Sequence, residues 1–288
     1  MNVGIVGLGL IGGSIGRAAV KRTDNTVYAA DRDETALLKG ALLDAYHYVL
    51  TPDNVKNIDL LLICVYAEGV EKVIDEYAPL MKEGAIVMDC AGVKRHVADV
   101  MNDRLKVYKH LHFLGGHPMA GREFSGVEHS TASLMEHSTC ILVPIHTPIE
   151  PLCLVKEFFI SIGADGVVVT NAEEHDRIIS YTSQLAHVVS SAYVMAPSAE
   201  THYGFSAGSF RDMTRVARLN PDMWTNLMIE NSDFLSEEVF AITDRLNKLG
   251  NAIKNKDYDT LHALLQEGSE RKIQIETRRA QKKADVLH

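Results

Sequence analysis

The feature that most constrains this chain is a glycine-rich turn near its start. A buried-strand pattern at residues 2–7 leads into Gly7-Leu8-Gly9-Leu10-Ile11-Gly12, and a helical pattern then continues to about Arg22. In this setting the first glycine makes a tight turn, the second lets the backbone approach a pyrophosphate, and the third lets the helix pack on the strand. The helix N-terminus offers free N–H groups to phosphates. The stretch therefore predicts a dinucleotide-binding site.

An acidic residue, Asp31, ends the next strand pattern. Its carboxylate would accept a hydrogen bond from a ribose 2′-hydroxyl and repel a 2′-phosphate, which favours NAD over NADP. Arg32 beside it weakens that preference. The predicted cofactor contacts are Gly7, Leu8, Gly9, Leu10, Ile11, Gly12, Asp31, Arg32 and, at the end of a later buried strand, Val65.

Strand and helix patterns alternate as far as Thr170, which predicts a doubly wound, mainly parallel α/β sheet of the Rossmann type. No convincing strand pattern follows, so residues 1–170 predict an NAD-binding domain and residues 171–288 an all-α domain. Asn220 followed by Pro221 predicts a helix start. The apolar residues after it recur at helical spacing, and Gly250 is expected to end that helix.

Composition narrows the possible partners. The 288 residues carry a net charge of −9, which argues against nucleic acid or an anionic membrane as the main partner.

The uncharged run 178–199 contains too many polar side chains for a membrane span, and it predicts a helix buried in protein. The four cysteines lack a CxxC spacing and predict reduced, buried thiols, and no cluster of ligands indicates a metal. Met1 leads straight into a strand without a signal peptide, so the expected location is the cytoplasm.

The stretch "LGGHPMAG" (114–121) places His117 at the carboxyl end of a strand pattern, where open α/β sheets bind ligands. The flanking glycines would let a substrate approach the backbone. An imidazole with an ordinary pKa of about 6.5 can take a proton near neutral pH. The chain has 13 histidines, and a structural role is the usual one, so spacing alone does not select His117.

Two groups in the second half have the chemistry of a substrate site. Gln184 and His187 belong to a polar stripe on an otherwise uncharged helix, which must pair either with other helices or with a polar ligand. Arg211, Arg215 and Arg218 lie close together before Asn220. They suit a carboxylate clamp, since guanidinium groups bind carboxylates in a fork, although ion pairs with nearby aspartates are the alternative.

Together these motifs resemble the prephenate/arogenate dehydrogenase family of tyrosine biosynthesis. The resemblance runs from "GLGLIGGS" to about "MWTNLMIEN", with "GGHPMAGREFSGVEHS", "EHD", "SQLAH" and "FRDMTRVARLNPDMW" in the family's order. It implies a Rossmann domain followed by a helical dimerisation domain, and a homodimer. It also implies oxidative decarboxylation of prephenate to 4-hydroxyphenylpyruvate with hydride transfer to NAD+, or the corresponding conversion of arogenate to tyrosine.

By this resemblance, His117 is the catalytic histidine that hydrogen-bonds the ring 4-hydroxyl of prephenate. His187 lies in the substrate pocket, and Arg215 holds a substrate carboxylate. Glu123 is an acid near the pocket entrance, and Trp224 closes the pocket. Gln184 and Arg211 are also expected to contact substrate.

The sequence departs from the family pattern at two places. The family often has a serine in the stretch that reads "DCAGVK" (89–94), where it hydrogen-bonds the catalytic histidine, and this chain has Gly92. Water or another side chain must then orient His117. The family's "SHLPH" reads "SQLAH" here, so Gln184 can hydrogen-bond but cannot titrate.

Two other functions remain open from the sequence. One is another dehydrogenase with a Rossmann and a helical domain, of the β-hydroxyacid or imine-reducing kind, although those use a lysine or other group that "SQLAH" lacks. The other is a non-catalytic NAD-sensing regulator, which would not need His117 and Arg215 in one cleft. Any inhibition by tyrosine is expected to act at the active site.

Overall fold

The structure, a computed structural model, describes residues 1–286, and it contains two compact units, residues 1–235 and the described residues from 236 onward. The first unit holds one sheet of eight strands in the order β3-β2-β1-β4-β5-β6-β7-β8. The strands are β1 Asn2–Val6, β2 Thr26–Ala30, β3 Tyr48–Val49, β4 Leu60–Ile63, β5 Ile86–Asp89, β6 His112–Pro118, β7 Thr139–Ile145 and β8 Gly166–Val169. All neighbours are parallel except β6 and β7, which are antiparallel. The predicted mainly parallel Rossmann sheet is therefore confirmed.

Eleven α-helices lie within the described residues. They are α1 Leu10–Arg22, α2 Glu34–Leu42, α3 Ala67–Tyr77, α4 Arg95–Val107, α5 Ile149–Ser161, α6 Ala172–Ile179, α7 Leu185–Val194, α8 Gly208–Thr214, α9 Pro221–Glu230, α10 Ser232–Asn255 and α11 Tyr258–Val286. After β8 the described chain is helical, as the sequence predicts. None of the described helices is both long and apolar enough to cross a membrane.

Strand β4 shows why the sheet is covered on both faces. Leu61 and Ile63 belong to a core that α3 and α4 share, whereas Leu60 and Leu62 belong to a core that α1 and α5 share. Successive strand residues point to opposite faces, so a strand buried on both sides needs a continuous apolar run. The order of the sheet reverses beside β1, whose neighbours are β2 and β4, and ligands of such sheets bind where this reversal occurs.

The uncharged segment is not one regular helix. A π-helical stretch, Ser180–Gln184, joins α6 to α7, and such wider turns are frequent at functional sites. Ser180 and Gln184 are buried, whereas Tyr181 and Met195 are exposed within the single chain. The prediction of a buried helix thus applies to one side of this segment.

The prediction that Gly250 ends a helix is wrong. Helix α10 continues through Gly250 to Asn255, and the chain turns at Lys256, whose φ is 53°. The N–H of Lys256 donates to the carbonyl of Ile253, and that of Asp257 to the carbonyl of Ala252, which closes the last turn. A left-handed residue after the last turn is a common helix ending, and here lysine adopts that conformation.

Candidate active site

The glycine-rich turn has the shape that a dinucleotide requires. Gly7 has a φ of 98°, and a Cβ there would lie 2.6 Å from the carbonyl oxygen of Cys64. A Cβ on Gly12 would collide with the carbonyl of Gly7, whereas Gly9 has open space around it. Gly9 also precedes α1, whose first turn carries no acidic residue. The turn thus presents bare backbone and a helix N-terminus to a phosphate.

Asp31 holds this turn from the end of β2. Its carboxylate accepts hydrogen bonds from the N–H of Leu8 at 2.6 Å and of Asp33 at 2.9 Å. Leu8 is buried in the core, so its side chain supports the turn from below. Arg32 is exposed.

A cleft of about 850 Å³ joins the turn to the second half of the chain. Gly9, Leu10, Ile11 and Val65 line its nucleotide side. Six of the residues predicted to contact substrate also line it: His117, Glu123, Gln184, His187, Arg215 and Trp224. Residues far apart in sequence therefore share one cavity.

His117 lies within β6, one residue before the strand ends, and its ring has a protein partner. Its Nδ1 is 2.9 Å from Nε2 of His175, and Nδ1 of His175 is 2.7 Å from Oδ1 of Asp176. Burial lowers the pKa of His117 well below its ordinary value, and His175 and Lys94 lower it further, whereas Asp176 opposes them. His117 is therefore neutral near pH 7 and able to accept a proton.

Asp176 is the last member of the hydrogen-bonded row that runs from His117 through His175, and it holds this row in place. Its carboxylate also accepts the backbone N–H groups of Lys94 at 2.7 Å and Arg95 at 2.9 Å. Burial raises the pKa of Asp176, but the hydrogen bonds from His175, Arg95 and Lys94 outweigh it, and the pKa lies below its ordinary value. The carboxylate is consequently ionised at neutral pH.

A buried ion pair supports the strand that carries His117. Lys94 Nζ contacts Asp89 Oδ2, and both side chains are at most 1% exposed. The other oxygen of Asp89 accepts the N–H of Gly116 at 3.1 Å. The pair therefore fixes the backbone directly before His117 to the end of β5.

The substrate side of the cleft is built from rings and an ion pair. His187 stacks on Trp224 with ring centroids 3.7 Å apart, and its Nδ1 donates to the carbonyl of Ser183 at 2.9 Å. Burial lowers the pKa of His187, so this ring is also neutral near pH 7. Arg215 donates to Glu123 at 2.5 Å. A substrate carboxylate would have to share or replace Glu123 on that guanidinium.

Two predicted substrate contacts are engaged elsewhere. Gln184 reaches the cleft, but its amide donates to the carbonyl of Leu227 at 2.9 Å and accepts from Asn231 at 2.7 Å. Arg211 does not line the cleft, and its side chain is 82% exposed beside Asp212. Arg218 lines the cleft instead, with its guanidinium over the ring of Phe124.

Sequence reasoning missed the support of His117. His175 and Asp176 lie in the "EHD" motif, which resembled the family but had no assigned role. Asp89 and Lys94 are the first and last residues of the "DCAGVK" stretch, which the family pattern distinguishes only by Gly92. Asp176 and Lys94 are buried charged residues, and such residues need partners, so burial is the signal that identifies them.

Comparison with known proteins gives consistent matches. The family model for the prephenate dehydrogenase nucleotide-binding domain matches residues 15–168, and that for its dimerization domain matches residues 171–267. A cyclohexadienyl dehydrogenase of Zymomonas mobilis is 31% identical, over 96% of each chain. A prephenate dehydrogenase of Lactococcus lactis is 26% identical, over 92% of this chain and 74% of its own.

A solved structure agrees over nearly the whole length. The prephenate dehydrogenase from A. aeolicus, in complex with hydroxyphenyl propionate and NAD+, has a TM-score of 0.80 and 27% identity. The match covers 96% of this chain and 98% of that one. With the nucleotide turn, the His117 cleft and both family models in agreement, this chain belongs to the prephenate/arogenate dehydrogenase family.

Proposed function

We propose that this protein converts prephenate to 4-hydroxyphenylpyruvate and carbon dioxide while reducing NAD+. The observation that carries the proposal is the position of His117, a neutral histidine in the cleft that the nucleotide turn also lines. Neither a β-hydroxyacid or imine-reducing dehydrogenase nor an NAD sensor accounts for this histidine together with Arg215. We expect the enzyme to act in tyrosine biosynthesis in the cytoplasm.

The nucleotide turn fits NAD. The open space at Gly9 suits a pyrophosphate, and the carboxylate of Asp31 suits a ribose 2′-hydroxyl. Leu10, Ile11 and Val65 would contact the cofactor in the cleft, with Gly7, Leu8 and Gly12 shaping the turn and Arg32 at its outer edge. When bound, NAD+ supplies the acceptor for the hydride from ring C4.

His117 accepts the proton of the substrate's 4-hydroxyl group and later returns it. The hydroxyl O–H bond breaks as the C4 hydride leaves, and His117 takes the proton. The bond to the ring carboxylate then breaks, its electron pair completes the aromatic ring, and the proton returns to the phenolic oxygen. No net proton is released, so a histidine that holds the proton briefly is sufficient.

The other cleft residues position the substrate. Arg215 binds a carboxylate in place of Glu123, and Trp224 with His187 provides an aromatic wall. Gln184 shapes the pocket through its bonds to α9 and Asn231. Aromatisation drives the reaction, so holding the groups in place is the main contribution of the protein.

Arogenate is the second candidate substrate, and Glu230 is the observation that favours it. Glu230 lines the cleft, and among the described residues its buried Oε2 has no hydrogen-bond partner. Arogenate carries an ammonium group where prephenate carries a keto oxygen, and an ammonium would satisfy that oxygen. Burial raises the pKa of Glu230, which favours the neutral carboxyl group and so weakens its attraction for an ammonium group. Binding of that cation would in turn favour the carboxylate.

The deciding experiment follows NADH formation with prephenate and arogenate side by side. Faster turnover of prephenate supports the first candidate. Faster turnover of arogenate that Glu230→Gln abolishes supports the second. No turnover of either substrate, in protein that still binds NAD+, would refute both.

Replacing the base tests the mechanism. We expect His117→Ala to lower kcat by roughly 10²–10⁴-fold with little change in KM, because the ring acts on the reacting proton. The measurement is steady-state kinetics on the better substrate. His137→Asn, at an exposed histidine with a φ of 61°, is the control. An unchanged kcat for His117→Ala would remove His117 from the mechanism.

A further inference from the structure

The hydrogen-bonded row of His117, His175 and Asp176 determines which ring nitrogen of His117 carries the hydrogen. Asp176 is ionised and can only accept, so Nδ1 of His175 carries the hydrogen of the 2.7 Å contact. When His175 carries only this hydrogen, its Nε2 is bare and accepts a hydrogen bond. In that state the 2.9 Å contact requires that Nδ1 of His117 donates. This leaves Nε2 of His117 unprotonated, as a base for the cleft.

We propose that His175, held by Asp176, is the positioning residue that fixes the tautomer and orientation of His117. The role requires a rigid partner, and both side chains are at most 1% exposed. Gly92 has no side chain that could hydrogen-bond His117. The proposal rests on the proposed function for its kinetic consequence, but the tautomer itself is a property of the free protein.

The same row stabilises the protonated ring. When Nε2 of His117 takes the substrate proton, both ring nitrogens carry hydrogen, and Nδ1–H still donates to His175. The negative charge of Asp176 lies one imidazole away. Lys94 is the opposing charge, and Asp89 pairs with it. Cys140 also lies near the backbone of His117, with its thiol neutral because burial raises its pKa.

Two substitutions of His175 separate the possible roles. His175→Phe keeps an aromatic ring but removes the acceptor, whereas His175→Gln can place an amide oxygen near the position of Nε2. We expect His175→Phe to lower kcat by about 10²–10³-fold with KM within about threefold, as for loss of an orienting partner of a catalytic histidine. We expect His175→Gln to recover at least about tenfold of that loss.

Nitrogen-15 NMR of histidine-labelled protein without substrate gives a readout that does not depend on activity. In the wild type we expect His117 to carry hydrogen on Nδ1 and none on Nε2 at neutral pH. In His175→Phe we expect the Nε2–H form to appear. Circular dichroism and thermal unfolding identify any variant that is not folded, and His137→Asn again serves as the control.

Two results would overturn the proposal. One is a wild-type His117 with hydrogen on Nε2. The other is a folded His175→Phe protein with wild-type kcat. If the wild type turned over neither prephenate nor arogenate, the proposed function would fail, and the NMR measurement would still decide the role of His175.

Discussion

At the residue scale, burial of His117 predicts how activity depends on pH. The neutral ring is the active form, and protonation inactivates it as pH falls. Because burial lowers the pKa of His117, and Lys94 lowers it further, this loss is shifted to lower pH. We expect kcat/KM to stay level through neutrality and to fall only below the ordinary histidine pKa of about 6.5. A pH series of kcat/KM measures this, and an acid limb above that value would contradict it.

Two arginines in one helical stretch provide a matched test of substrate binding. Arg215 lines the cleft beside Glu123, whereas Arg211 is exposed outside it. A hydrogen bond to a charged group contributes about 1.5–3 kcal/mol, and the 64% exposure of the Arg215 side chain favours the lower end. We therefore expect Arg215→Ala to raise KM about tenfold with little change in kcat.

Arg211→Ala is the control for Arg215, and its KM should equal that of the wild type. Steady-state kinetics of both variants on the same substrate makes the comparison. If Arg211→Ala alone raised KM, the carboxylate contact would belong to Arg211.

At the element scale, Gly250 shows what a local signal leaves undecided. Glycine is common after the last turn of a helix, but α10 continues past this residue and ends before Lys256. A Cβ on Gly250 would meet nothing within 4 Å. We expect Gly250→Ala to raise the free energy of unfolding by about 0.5–1 kcal/mol, because glycine is a poor helix former.

Gly84 is the matched comparison for Gly250, since a Cβ there also has open space, but its φ is 78°. Gly84→Ala should therefore lower the free energy of unfolding, by about 1–2 kcal/mol. Urea denaturation of both variants gives the two signs. A loss of stability in Gly250→Ala would mean that this helix position contacts a neighbour in the assembled protein.

At the scale of the whole molecule, apolar side chains on the last two helices predict a homodimer. Phe240, Leu246 and Ile253 on α10 and Leu265 on α11 are each more than half exposed in the single chain. They lie in the part that matches the family's dimerization domain. Exposed apolar side chains of this size in such a domain favour burial at a protein interface. We expect light scattering to give twice the 31.8 kDa chain mass.

Substituting this surface should separate the subunits. Phe240→Asp with Leu246→Asp is expected to give a monomer that remains folded, because both side chains are exposed in the single chain. Leu42→Asp, on exposed α2, is the control and should leave the dimer intact. A wild-type protein that elutes as a monomer would contradict the dimer. Inhibition by tyrosine and the domain boundary at residue 170 stay predictions.

The sequence by itself determined the mainly parallel sheet and the nucleotide turn, and its resemblance to a family nominated His117 as the candidate base. Local patterns were sufficient because periodicity, glycine spacing and strand-then-helix order are short-range properties. The short edge strand β3 and the antiparallel pairing of β6 with β7 were decided by the tertiary structure, since pairing joins distant residues.

The candidate site divides in the same way. The motifs identified His117, His187 and Arg215, but only the fold brought His175 to the ring of His117. These two histidines are 58 positions apart, and their contact depends on tertiary packing, in which α4 lies against both α6 and β6. Arg211 and Gln184 illustrate the reverse case. Both side chains could bind a substrate. However, Arg211 lies outside the cleft, and the amide of Gln184 is hydrogen-bonded to other protein groups. Residue type alone does not determine either outcome.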